Sequence, residues 1–411
     1  MKVVQGVLGT VLVSLNPTLT VLPALLAGLV LGLFVDRRLA ADLAGVGGVF
    51  LFLGTLFCLV PMVLAALFAA GARGCRIRME AKVPSRLQAF LRRATVAASA
   101  LGVLLAWLVG AAFVPGWGRL ALGKGPVLPQ IFSFGTWGVM AILILGVFAY
   151  LAGSSASLTR ADGAPLRQLG LSLCRVLQNV YSRLLPWVLP LAALGAACLV
   201  TAFATGGNAR YPGPQPWMFP VAFGTVLVPL ALVPSLVVPA ACWYGLRRCG
   251  KDCPRHFLGF FRQVLVQAAA DCSRGRVEPV LIHNLVRLGV PAEAALARTR
   301  AALLAGPVST AFYVAFVAAS LPLPLGMLVP VPLKLLLAFA LALLLGWADL
   351  PVPSAALALV LFVPAFLLGT GKALPVLLLL FLFERGLDII RTVTNVLFAG
   401  TAVYLSDKLG W

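Results

Sequence analysis

The sequence predicts an all-α polytopic membrane protein, with eight transmembrane helices and two re-entrant helical hairpins arranged as inverted repeats. Three observations carry that expectation. Hydrophobic residues make up 61% of the chain against 11% charged, with a mean hydropathy of +1.03, a composition characteristic of integral membrane proteins. The basic residues, which give a formal net charge of +20, gather in alternate loops, as they do on the cytoplasmic side of membrane proteins. Two pairs of apolar arms are each too short to cross a bilayer, and each pair is interrupted by charge, Gly or Pro. No gap between apolar runs is long enough for a separate soluble domain, so residues 1–411 read as a single integral membrane domain.

The first two spans, about Leu15 to Val35 and about Ala44 to Ala70, are joined by a turn holding Arg37 and Arg38. At 1.5 Å per residue each is long enough to cross a core of about 30 Å. Asp36, Arg37 and Arg38 stand where a signal peptide would carry a small-residue cleavage site, so the first run reads as a retained helix. The following loop carries Arg73, Arg76, Arg78, Lys82, Arg86, Arg92 and Arg93 against the single acid Glu80. That bias makes it cytoplasmic and places the N-terminus on the same side. A third span, about Ala94 to Phe113, leads out and a fourth, about Val127 to Ala152, returns to a loop with Arg160, Arg167, Arg175 and Arg183. A fifth, about Leu184 to Ala204, and a sixth, about Val221 to Tyr244, flank the Gly/Pro-rich stretch Gly206 to Pro220, whose only charge is Arg210.

After the sixth span the alternation fails. Arms Phe257 to Ala270 and Pro279 to Leu288 flank the break Asp271 to Pro279, and the next segment, with Arg287, Arg298 and Arg300, is again basic. A re-entrant hairpin, about 256–288, satisfies both facts if its tip is buried or lines a wet cavity. A seventh span, about Leu303 to Leu321, passes Thr310. A second hairpin, about 333–368, has arms Leu333 to Leu345 and Ala355 to Leu368 around a break containing Asp349. The eighth span, about Pro375 to Leu405, ends inside at Lys408, so the expectation is a multi-pass protein of the cell (inner or plasma) membrane with both termini cytoplasmic. Two broken hairpins entering from opposite faces are the inverted-repeat pattern that puts a solute site near the midplane.

The last helix carries the strongest functional signal. At 100° per residue, Glu384, Asp388, Arg391, Thr392 and Asn395 form one polar stripe at membrane depth, where ionisable groups are costly and face a cavity or a partner. Of twelve acidic residues, Asp271, Glu278, Asp349, Glu384 and Asp388 fall in the hairpin breaks or this helix. A guanidinium offers a planar fork for a carboxylate, and a carboxylate one turn away offers the complementary charge for an ammonium. The alternative is an internal pair of Arg391 with Asp388 or Glu384 that neutralises itself. Glu278 and Asp349, then Asp271, are candidates to carry a coupling proton, because desolvation raises a carboxyl's pKa. The alternative for them is pairing with Arg274 or Arg276 to hold the hairpins shut.

Other classes find little support. The basic residues come with no soluble fold that would bind nucleic acid, and Cys249 and Cys253 lack the second ligand pair of a zinc site. His256 and His283 stand alone. No P-loop, metal triad or Gly-x-Ser-x-Gly turn occurs, so neither an enzyme nor an ATP-driven pump is expected, nor any catalytic or metal-ligating residue.

The chain resembles the dicarboxylate/amino acid:cation symporter family along its whole length. The likeness lies in Phe57-Cys-Leu-Val-Pro-Met-Val-Leu-Ala-Ala-Leu, in Leu184-Leu-Pro-Trp-Val-Leu-Pro-Leu-Ala-Ala-Leu and, most specifically, in Leu387-Asp-Ile-Ile-Arg-Thr-Val-Thr-Asn-Val. The resemblance implies a homotrimer in the lipid bilayer and an elevator-like movement. A transport part, about 94–125 and 221–411, would move against a scaffold, about 1–93 and 126–205. It also implies that Arg391 binds a substrate side-chain carboxylate, Asp388 an amino group and Asn395 a main-chain carboxylate, with Thr392, Thr310 and Ser273 as further contacts. Where the family carries sodium-binding residues, this sequence has Gly306, Val308 and Ala399. The expected solute is therefore an acidic amino acid such as aspartate or glutamate, moved with protons or by exchange; a sodium site built only of backbone carbonyls could survive. A C4-dicarboxylate transporter and a diverged anion channel or structural or sensory protein are the alternatives.

Overall fold

The computed structural model describes residues 17–36, 83–113, 223–272, 274–320 and 383–411, with further residues singly or in short groups, among them 194–195, 197–198, 200–201 and 335–343 except 337. All of the second span but residues 46–47, the whole fourth span and Asp349 lie outside the described residues, as does the second hairpin apart from part of its first arm.

The described residues are helical apart from a two-residue antiparallel pairing of β1 (Gly207–Asn208) with β2 (Tyr211–Pro212). Helix α1 (Pro17–Gly32) opens on a proline, whose fixed φ suits a helix start. It meets the fifth span closely: Thr201 donates to the Gly28 carbonyl at 3.1 Å, and a Cβ on Gly28 would collide with the Ala197 carbonyl.

Helix α2 (Ser85–Phe113) begins well before the span expected from residue 94. Arg86, Arg92 and Arg93 are good helix formers, so hydropathy marks the membrane segment and not the helix end. A π-helical turn (Phe223–Leu227) leads into α3 (Val228–Arg247). Helices α4 (Cys253–Asp271) and α5 (Arg274–Arg287) pack against each other as a hairpin. Their junction turns at Cys272, whose φ of 48° is left-handed. The break is thus much narrower than the expected Asp271 to Pro279, because Arg274 and Glu278 are helical residues with tertiary partners described below.

The seventh span differs from expectation in kind. It is a broken helix, α6 (Ala292–Ala305) and α7 (Val308–Ser320), interrupted at Gly306-Pro307. Arg298 and Arg300, expected in a loop, lie on α6. Proline lacks an N–H and clashes with the preceding turn, which accounts for the interruption. A Cβ on Gly306 would sit 2.8 Å from the Ala302 carbonyl and 2.9 Å from Leu91 Cδ2, so the break is also tightly enclosed.

Helix α8 (Glu384–Lys408) is central, packing against α3, α4, α5, α6 and α7. The core between these helices includes Phe257, Phe261, Leu281, Leu285, Val396 and Val403. Gly400 leaves room for the Phe261 ring, which stacks on Phe257 with centroids 4.5 Å apart. Among the described residues, four segments are long and apolar enough to cross a membrane: Ser85–Val109, Phe223–Arg247, Ala292–Ser320 and Arg385–Lys408.

Candidate solute site

Helix α8 brings its polar stripe against the break between α6 and α7. Arg391 Nη2 lies 2.8 Å from Asp388 Oδ1, one turn earlier, and both side chains are only 12% exposed. The Arg391 guanidinium also stands 6.0 Å from the centre of the Tyr313 ring on α7. An aromatic face attracts a cation at such a distance. Aspartate and arginine three apart share a helix face, and the pair offsets part of the penalty of burying either charge.

One turn beyond, Asn395 clasps the start of α7. Its Oδ1 accepts the Ser309 backbone N–H at 2.8 Å, and its Nδ2 donates to Thr310 Oγ1 at 2.9 Å. The first N–H groups of a helix have no partner within it, so a side-chain oxygen is needed wherever water is excluded. Asn395 supplies it at 2% exposure. Thr392 and Thr310 are buried beside this clasp, at 4% and 8% exposure.

The other end of the break is closed from two sides. Arg274 Nη1, on α5, donates to the Leu303 carbonyl at 3.1 Å. Thr95 Oγ1, on α2, donates to the Ala305 carbonyl at 3.0 Å. Within the connection, Val308 N–H meets the Gly306 carbonyl at 2.8 Å and Gly306 N–H meets the Ala302 carbonyl at 2.9 Å. At the hairpin tip, Arg385 Nη2 donates to the Ala270 carbonyl at 2.7 Å. The tip of the first hairpin and the α6–α7 break therefore adjoin the polar stripe.

The structure brings together Arg391, Asp388, Thr392, Asn395 and Thr310. Ser273 lies outside the described residues, as do Asp349 and the side chain of Glu384. Glu278 takes a different partner from either arginine expected for it: Arg300 Nε lies 2.9 Å from Glu278 Oε1, tying α5 to α6 on a partly exposed face. Asp271 accepts a hydrogen bond of 3.4 Å from Gln267 Nε2, one turn back on α4. Sequence reasoning missed the contributions of Arg274, Arg300, Thr95, Tyr313 and the Ser309 backbone. Gly306-Pro307 was the available signal for the broken helix, but no sequence feature announces which side chains fill it.

The sodium:dicarboxylate symporter family matches residues 18–409. The chain belongs to that family. Membership makes it a multi-pass membrane protein of a transporter family whose solutes are small carboxylates. No curated protein matches the chain. In this sodium:dicarboxylate symporter family member, the arginine and aspartate on α8 form a buried pair of opposite charge inside an otherwise apolar helix packing.

Proposed function

We propose that the protein is a secondary active transporter of a small carboxylate, with an acidic amino acid such as aspartate or glutamate as the first choice. The observation that carries this reading is the Arg391–Asp388 pair, buried on α8 beside the Asn395–Thr310 clasp. Arg391 would receive a side-chain carboxylate through its planar fork, and Asp388 would turn to an amino group. The 2.8 Å bond between them then exchanges for bonds to the solute, so each of the two protein charges meets an opposite charge when the site is filled.

In this reading the first hairpin is re-entrant, and the assembly is a homotrimer whose transport part, with α2 to α8, rides past a scaffold by an elevator movement. Both termini are cytoplasmic in the cell membrane. Coupling runs through protons or exchange, with Glu278, Asp271, Asp349 and Glu384 as the groups to test. A C4-dicarboxylate is the second reading, favoured by one feature: a solute without an amine would leave Asp388 on Arg391 as it stands.

Purified protein in liposomes, offered labelled aspartate, glutamate, succinate and malate under separate sodium and proton gradients, tests the proposal. Uptake of aspartate or glutamate driven by a proton gradient or by internal solute is the expected result. Uptake of succinate and malate alone would establish the second reading. Failure of every carboxylate to move under any gradient would overturn both.

A further inference from the structure

We propose that Arg274 serves as the protein's built-in cation at the carbonyl end of α6, closing that set of oxygens to a free metal cation. The last carbonyls of a helix lack intrahelical donors and carry the negative end of its dipole, so at membrane depth they call for a positive charge or a hydrogen-bond donor. A small hard cation satisfies such a set with several oxygens at once. Here three oxygens at this end are already used by the chain. The Leu303 carbonyl receives the Arg274 guanidinium, the Ala305 carbonyl shares the Thr95 hydroxyl with the Leu91 carbonyl, each at 3.0 Å, and the Gly306 carbonyl receives the Val308 N–H.

At position 399 the facing helix carries an alanine and not an acid. Ala399 is fully buried on α8, in the same packed core as Ala302 and Leu303. Phe398 Cε1 and Leu91 Cδ2 crowd Gly306 so closely that even a methyl group would need them to shift. The donors present do not fit a sodium ion at this end of the break; they fit a tethered guanidinium. Arg274 comes from the first residue of α5, so the charge also fastens the hairpin tip to the broken helix.

This inference deepens the coupling part of the proposed function and rests on that reading only for its meaning in transport. Its test needs no transported solute. The unfolding midpoint of the full-length protein in detergent is measured in sodium, potassium and N-methyl-D-glucamine chloride at equal ionic strength. The native chain is expected to melt at the same temperature in all three. Arg274→Ala is expected to lose several degrees, and to recover part of the loss in sodium or in a few millimolar guanidinium. Arg274→Lys keeps the charge and is expected to stay insensitive to the cation.

If Arg274→Ala fails to fold, Arg274→Gln, which still offers an N–H to Leu303 but no charge, takes its place with the same expected cation response. Arg276→Ala, on an exposed neighbour, controls for a general loss of positive charge. A sodium-specific stabilisation of the native chain would overturn the proposal. So would a charge-removing variant that folds but shows no greater response to cations than the native chain. Absence of carboxylate uptake, by contrast, would sink the transport reading while leaving this result standing.

Discussion

Two kinds of membrane-length helix coexist here. The most apolar window of the α6–α7 segment is 89% buried and that of α8 is 78% buried, whereas those of α2 and α3 are each only 28% buried. The inner helices hold Arg391, Asp388, Asn395 and the Gly306-Pro307 break; the outer face of α3 presents Leu232, Leu236 and Val237, and that of α2 presents Leu104 and Leu108. The difference teaches where polarity can be tolerated. Arg391, Asp388 and Asn395 each have a partner on a neighbouring helix or on their own next turn, although Thr299 and Thr401 are buried on the same helices with hydroxyls that find none among the described residues; apolar outer faces need no such partners.

The largest test of this contrast is Arg391→Ala. It removes the cation 2.8 Å from the buried Asp388, and removal of one member of a buried ion pair costs about 3–5 kcal/mol. The unfolding midpoint should fall and stabilisation by added aspartate or glutamate should vanish. Arg391→Lys separates the two effects, since a lysine can keep Asp388 company without offering a planar fork. Stability recovered without ligand response would show that the fork matters. An unchanged ligand response in Arg391→Ala would break the assignment.

Gly400→Val probes packing in place of charge. Its side chain would run into the Phe261 ring, which is fully buried against Phe257 and has no space to yield. Overpacking of this kind costs about 1–3 kcal/mol, to be read as a lowered midpoint with the ligand response kept. Smallest is Leu236→Ala on α3, 63% exposed. It should change the midpoint by less than about 0.5 kcal/mol equivalent. A larger loss would mean that this face is covered in the assembled protein, and cross-linking in native membranes would then identify the contact.

The two regions were not equally legible in the sequence. The stripe on α8 could be read because its residues recur on one helical face within an apolar background, and periodicity survives any tertiary arrangement. The sixth span was equally plain: about Val221 to Tyr244 was expected, and the helical stretch runs from Phe223 to Arg247. The sequence makes the first hairpin look more broken than it is, because Arg274, Gly275, Arg276, Glu278 and Pro279 interrupt its apolar run. Two of them are tertiary contacts, to the Leu303 carbonyl and to Arg300. Charge in an apolar chain marks a partner, but one-dimensional spacing cannot say whether that partner is water, a solute or a helix some 22 residues away. The clasp of Asn395 on Ser309 was hidden for the same reason, since one of its two bonds is to a backbone group common to nearly every residue.

One seam has a mechanical meaning. Gly102 on α2 faces the backbone of α7, where a methyl group would stand 2.8 Å from the Phe312 carbonyl and 2.9 Å from Ala315 Cβ. Only a hydrogen atom fits there, so the two backbones approach this closely because residue 102 is glycine. The seam works as a close-fitting joint: glycine at one point lets α2 and α7 lie backbone against backbone, although some 200 residues of chain separate their contact points.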